Sequence, residues 1–300
     1  MQNVKQNTCA LITALIWGTA FVGQSICSKY IGPFTTTALR SVIAAIFLTI
    51  VVFILRKIKG QKSIFADKIY FKKLLKSGII CGILLAAATN LQQTGIGDTG
   101  AGKTAFITAM YVVIVPLLGI FVGKKAGTNV WAAVFVAVIG FYFLCLYGEG
   151  KIGIDLSDLF VLLCAFMFSV HIITVDRVSE GLDGIELSCV QFYASAVVSL
   201  ICMFFTEKVS VSDIHSCALP LLYISVFSSG IAYTLQIIAQ KGSNPTVISL
   251  IFTLESVFAI LAEHIIAGNM AKPMMWWETL GCTLIFFAVI FSQIPFKKKT

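Results

Sequence analysis

Residues Thr89–Lys125 read TNLQQTGIGDTGAGKTAFITAMYVVIVPLLGIFVGKK, two apolar segments joined by a glycine-rich turn. Gly97, Gly102, Lys103 and Thr104 in that turn match the G-x-x-x-x-G-K-[ST] pattern of a phosphate-binding loop. Such a loop works between a β-strand and a helix N-terminus, whose backbone N–H groups cradle the phosphates. Here the preceding segment, Gly78–Ile96, is an apolar stretch of bilayer length whose Gly78 and Gly82 form a G-x-x-x-G suited to close helix packing. The alternative is a tight turn between two membrane helices, with glycines for backbone freedom. The rest of the chain decides between the two.

Of its 300 residues 58% are hydrophobic and 12% charged, against about 25% charged in soluble domains. The charges are bunched, and apolar runs of bilayer length lie between the bunches. A run of roughly 20 apolar residues crosses the hydrocarbon core as one helix, because backbone groups find no water there. The reading is an all-α membrane protein with ten transmembrane helices, placed at 8–28, 34–55, 77–96, 102–123, 129–147, 157–175, 187–205, 217–239, 244–266 and 275–294. The first run follows Lys5 and has the look of a secretory signal; with nine further spans behind it, we read it as a retained helix.

Lys and Arg alternate in abundance between successive connections. The N-terminus, the even-numbered connections and the C-terminus carry sixteen, the other five connections carry five when Lys103 at the start of the fourth span is counted with the turn before it, and Arg40 lies inside a span. Positive charge stays on the cytoplasmic side, so both termini are expected in the cytoplasm and the protein in the cell membrane. The net charge of +8 is thus a matter of membrane flanks, such as Arg56–Lys76 and Lys297–Lys299, and nucleic acid is not an expected partner. The loop Arg56–Lys76 also carries apolar residues and reads either as a topological anchor or as a short helix on anionic headgroups. Nine cysteines include no C-x-x-C pair, which favours buried apolar thiols over disulfides or a metal site. No cofactor is expected.

The two halves can be set side by side. Trp17-Gly18 against Phe168-Ser169 holds register to Arg40 against Gln191, Leu91-Gln92 matches Leu235-Gln236, and Val115–Leu118 falls on Glu255–Phe258. Trp131 and Trp277 each open the last span of a half. A unit of five spans, being odd in number, re-enters the membrane inverted when repeated. Two inverted five-helix repeats, 1–149 and 150–300, are the architecture of many secondary transporters, with the solute site near mid-membrane between them.

The chain resembles the drug/metabolite transporter superfamily with two EamA-type domains. The resemblance is carried by W-G-T-A-F (Trp17–Phe21), G-P-F-T-T-T-A-L-R (Gly32–Arg40), L-Q-Q-T-G (Leu91–Gly95), Ala101–Pro116 and L-E-S-V-F-A (Leu254–Ala259). It implies alternating access by a transporter of small organic metabolites such as amino acids, nucleobases or drugs, often an exporter. It also implies that spans 1–4 and 6–9 surround the pathway while spans 5 and 10 are peripheral. Where the family shows L-E-P-V, Ser256 stands in place of proline, which puts the kink expected there in question. A lipid-moving flippase on the same scaffold is an alternative, as is, more remotely, a nucleotide-binding enzyme using Gly97–Thr104.

Ionisable groups deep in a span usually face a cavity or each other. Arg40 and Glu255 are therefore a structural ion pair, or Arg40 reaches outward to headgroups, or both are pathway residues, Arg40 for a carboxylate or phosphate and Glu255 for a cation or a coupling proton. Gln92, Gln93, Gln191 and Gln236 either bond neighbouring helices or line the cavity; the inverted placement of Gln92 and Gln236 favours the cavity. Trp17, Tyr111 and Tyr233 pack by default and in a pathway would offer ring faces to solutes or cations. His171 has no second ligand at metal spacing and reads as a packing residue. Lys103 reads as a headgroup contact or an attractor of anions at the outer mouth.

Overall fold

The computed structural model describes residues 4–61, 63–123, 126–145, 147, 155–266 and 275–292. Among the described residues ten apolar helices follow one another: α1 Val4–Cys27, α2 Pro33–Ile58, α3 Lys68–Thr99, α4 Ala101–Phe121, α5 Thr128–Cys145, α6 Leu156–Val178, α7 Gly184–Thr206, α8 Ala218–Gln240, α9 in halves Pro245–Phe252 and Leu254–Ile266, and α10 Trp276–Ser292, with a short helix, Val211–Ser216, between α7 and α8. Eight of them are long and apolar enough to cross a membrane, and α5 and α10 are shorter apolar helices. Among the described residues there is no strand. The 149/150 repeat boundary and the tail Lys297–Lys299 lie outside the described residues.

Local signals set the helix ends. Pro33 opens α2, its fixed φ suiting the first turn. The side chains of Asp67, Asp183 and Asn244 accept first-turn N–H groups of α3, α7 and α9. Asp67 corrects the expected start of the third span at 77. Lys68–Lys76 is not a loop but the first turns of α3, with Ile69 84% exposed on its outside and only Ile64–Ala66 as a separate turn.

Side-chain bonds sort the helix ends onto two faces. On one, Arg56 and Tyr70 both bond Glu186 (2.7 and 2.6 Å), Lys73 reaches the Glu180 carbonyl (2.7 Å), and Gln6 donates to the Lys241 carbonyl. On the other, Glu207 accepts from the N–H groups of Phe34 (2.9 Å) and Thr35 (2.8 Å), Lys103 pairs with Asp158 (2.8 Å), and His264 approaches Glu278 (3.9 Å). The first is here termed the basic face. Successive helices therefore run antiparallel, and α1 starts on the basic face while α6 starts on the opposite one. The two five-helix units are inverted.

Packing separates a core from a flank. α3 lies on α6 and α7, α2 on α7, and α1 on α8 and α9, whereas α5 pairs mainly with α10. Large apolar side chains such as Phe53, Phe121, Phe135 and Phe204 point outward at 67 to 87% exposure. Polar ones, including Arg40 and Glu255, are buried. That inside-out distribution suits hydrocarbon around a polar interior.

Glycines set the closest approaches. Gly78 and Gly82 lie against Val190 and Gln191 of α7, where an added Cβ would come within 2.4 Å of each partner. Gly18 of α1 is seated on α9, where a Cβ would meet Phe258 Cβ at 2.4 Å and the Glu255 carbonyl at 2.7 Å. Backbone cannot yield as a side-chain tip does, so Gly18→Ala must push α1 from α9. Its expected cost is about 1–3 kcal/mol, read as a lower unfolding midpoint in detergent.

Candidate functional site

A narrow central cavity, with about 20 Å3 of free space, enough for a water molecule, lies among α1, α2, α3, α4, α6, α8 and α9. Seven of the nine residues singled out in the sequence line it: Trp17, Arg40, Gln92, Tyr111, Tyr233, Gln236 and Glu255. Neither α5 nor α10 contributes a lining residue.

Arg40 is 2% exposed and all three of its hydrogen bonds go to neutral groups. Nε donates to Ser229 Oγ (2.9 Å), one terminal nitrogen to Gln24 Oε1 (3.0 Å) and the other to Ser228 Oγ (3.2 Å). Two consecutive serines can serve one guanidinium because α8 is wound as a π-helix over Ile224–Ala232. The wider winding turns successive side chains through a smaller angle, and such turns recur at functional sites. The carbonyl at its end, on Ala232, accepts from Thr13 Oγ1 (3.3 Å).

Glu255 accepts a hydrogen bond from the Tyr111 hydroxyl (2.9 Å) and is 3% exposed. It does not pair with Arg40, whose bonds go to the three neutral groups above. The cavity therefore offers a cation and a carboxyl separately, which removes the structural-pair alternative. Tyr233 is near enough to interact electrostatically with both. Its ring packs on Trp17 (centroids 4.9 Å) and Phe192 (5.6 Å), and Trp17 also packs on Phe252 (5.3 Å), giving the site an aromatic wall.

Both acidic-side anchors sit at helix breaks. α4 is interrupted at Met110, just before Tyr111, and α9 at Thr253, two residues before Glu255. The break in α9 forms without proline. Ser256 N–H turns to the Thr253 carbonyl (3.1 Å), Ser256 Oγ donates to the same carbonyl (2.8 Å), and Thr253 Oγ1 donates to the Leu250 carbonyl (2.7 Å). Hydroxyls bonding back to carbonyls compete with the regular ladder and do here what proline was expected to do. Measured from the breaks, Val112 rather than Val115 corresponds to Glu255.

Two of the nine residues lie off the cavity wall. Gln93 donates to the backbone carbonyl of Gln24 (3.1 Å), supporting α1 behind Arg40's partner. Gln191 contacts His171 Nε2 through Oε1 (3.2 Å). Conversely, Gln24, Phe21, Thr108, Phe168, Ile172 and Ser228 line the cavity without having been singled out. Gln24 was findable: Trp17, Phe21 and Gln24 stand at i, i+4 and i+7 on one helical stripe. Ser228 depends on the π-turn, which has no comparable sequence signal.

The phosphate-loop reading of Gly97–Thr104 fails on geometry. The element before the turn is α3, Gly97 lies inside that helix, and only Gly100 takes positive φ, at 80°. Lys103 is held by Asp158, which also accepts from Thr99 Oγ1 (3.2 Å) and the Asp155 N–H (3.1 Å). It is a strut between α4 and α6 rather than an open anion attractor. An added Cβ at Gly97 meets nothing closer than Ser28 Cβ at 3.8 Å. Gly97→Ala is therefore expected to raise stability by about 0.5–1 kcal/mol through helix propensity and to leave function intact, whereas a phosphate cradle would not tolerate it. Thermal unfolding and transport assays on that variant check both halves.

The EamA-like transporter family model matches this chain twice, over residues 5–146 and 155–293. The chain belongs to the EamA-like transporter family. An uncharacterized transporter of Archaeoglobus fulgidus is 28% identical over 285 residues, covering 94% of this chain and 84% of the relative. The uncharacterized transporter YoaV of Bacillus subtilis is 25% identical over 241 residues, covering 76% of this chain and 79% of its own. A crystal structure of 16% identity superposes with a TM-score of 0.74 over 96% of each chain, which establishes the shared fold. For this EamA-family chain, the matches point to membrane transport rather than catalysis.

Proposed function

We propose that this EamA-family protein is a secondary transporter in the cell membrane, moving small organic solutes outward by alternating access around the central cavity. The units 1–149 and 150–300 rock against each other, with both termini cytoplasmic and the basic face therefore inward. The observation that carries the reading is Arg40, a buried guanidinium held only by neutral groups and opening on a cavity that also holds an unpaired Glu255. A charge so placed is costly unless it serves a ligand or an ion pathway. Arg40 takes a carboxylate or phosphate of the solute, and a guanidinium suits either through its planar fork. Glu255 takes a cationic group or a coupling proton. Trp17 and Tyr233 give the faces on which the organic body rests.

Amino acids, nucleobases and related metabolites are the solute classes the family resemblance favours, and the site chemistry favours those bearing an anionic group. The test compares metabolites inside and outside cells that lack or overproduce the protein, then follows the solute so identified into proteoliposomes. Export predicts accumulation outside overproducing cells. A small-solute profile that does not respond to the protein's level overturns the reading.

A further inference from the structure

Beyond the cavity, the half of the protein toward the basic face holds polar atoms that packing does not explain. His171 Nδ1, Ser188 Oγ, Gln191 Nε2, Gln236 Oε1, Gln240 Oε1 and Ser243 Oγ are buried without a hydrogen-bond partner among the described residues. Native interiors rarely tolerate such groups, and each one asks for an explanation. Trp17 Nε1 on the cavity wall and Asn90 Oδ1, Gln93 Oε1 and Thr104 Oγ1 in the opposite half also lack a partner, but the six toward the basic face fall on facing helix stripes. Gln236 and Gln240 are one turn apart on α8, Ser188 and Gln191 one turn apart on α7, and His171 faces them from α6.

Cross-helix contacts join the three stripes. His171 Nε2 meets Gln191 Oε1 (3.2 Å), and Gln240 Nε2 donates to the Ile172 carbonyl (2.9 Å). The His171 ring stands edge-on to Tyr233 of the cavity wall, centroids 6.3 Å apart. Gln236 and Ile172 line the cavity itself. At the other end Ser243 belongs to a surface recess with Asp176, Glu180 and Lys241 on the basic face. A seam of neutral hydrogen-bonding groups thus runs from the cavity to that recess. Beside it lies an apolar layer of Cys81, Val175, Leu187 and Ile237.

We infer that this α6–α7–α8 seam is the route by which solute and water pass between the cavity and the basic face, closed in this structure by packing of the three helices. The inference rests on the central cavity being the transport site. When the helices part, the unpartnered amide, hydroxyl and imidazole atoms are the ones that bond the passing species. The lining is uncharged from Gln236 to Gln240, so a solute meets donors and acceptors along the route but no second ionic binding stop. Gln191, set apart from the cavity wall, is a positioning and pathway residue of this seam.

The test is thiol accessibility in the full-length protein in membranes, using a membrane-impermeant cationic methanethiosulfonate, with peptide mapping to identify the labelled residue. Gln240→Cys is expected to react from everted vesicles, which present the basic face, at least about tenfold faster than Cys81, since exposure governs thiol reaction at like chemistry. From the opposite face it should stay unlabelled. Cys81 is the internal reference because it is fully buried beside the same three helices. Gln240→Cys as inert as Cys81 would overturn the route. Ser188→Cys, a one-atom change distinguished from Cys189 by fragmentation, repeats the test should the first variant not assemble, with the same two outcomes. Gln236→Cys separates the two levels of inference: its labelling with Gln240→Cys inert removes the seam alone, and its inertness from both faces removes the cavity.

Discussion

Arg40→Lys is expected to cut transport tenfold to a hundredfold in proteoliposomes, although it keeps the positive charge. The guanidinium spends three donors on Ser229, Gln24 and Ser228, which fixes the plane it presents to the cavity. Lysine carries one compact ammonium on a flexible stem and has no fork to share between those partners and a solute. Partners left unpaired in a buried site cost about 1–3 kcal/mol each, and about 1.4 kcal/mol is already a factor of ten in binding. The measurement is uptake of the solute identified from metabolite profiles, with membrane abundance of the variant matched to wild type. Full activity in Arg40→Lys would show that bulk positive charge, not a held fork, is what the cavity needs.

Glu255→Gln addresses energy coupling. Glutamine preserves the side-chain length and an oxygen for the Tyr111 hydroxyl, now at 2.9 Å from Glu255, but can carry neither a charge nor an exchangeable carboxyl proton. If Glu255 carries the coupling proton, the variant should lose the stimulation of transport by an imposed pH gradient while retaining solute exchange across the membrane without one. Loss of both activities instead assigns Glu255 to a cationic group of the solute. Gradient-driven transport identical to wild type would remove it from either role. The conservative comparison is Tyr111→Phe, which deletes a single hydrogen bond to the carboxyl and is expected to have the milder effect.

The cavity was legible in the chain because apolar spans make every polar residue conspicuous. Arg40, Gln92, Gln236 and Glu255 had to be explained, and the inverted match of Gln92 to Gln236 pointed both to one place. Adjacent residues expose the limit of that logic. Gln92 and Gln93 point in directions about 100° apart on a helix, and only packing decides that Gln92 faces the cavity while Gln93 braces α1. Repeat register likewise conserves position, not surroundings: Arg40 opens on the cavity, whereas its counterpart Gln191 turns to His171.

Backbone departures were harder to foresee. The π-winding that aims Ser228 and Ser229 at one guanidinium reflects tertiary demand on α8, and the break at Thr253 is made by hydroxyls where proline was the expected agent. The start of α3 could have been placed better, since Asp67 before Lys68-Ile69-Tyr70 is an N-cap signal that the density of lysines obscured.

Metabolite profiles of cells overproducing either the wild-type chain or Arg40→Met at equal membrane abundance test the cavity most directly. The expected result is a small solute bearing a carboxylate or phosphate that accumulates outside the wild-type overproducer and returns to background in the variant. The same solute exported equally by both would contradict the assignment of Arg40 and its cavity as the transport site.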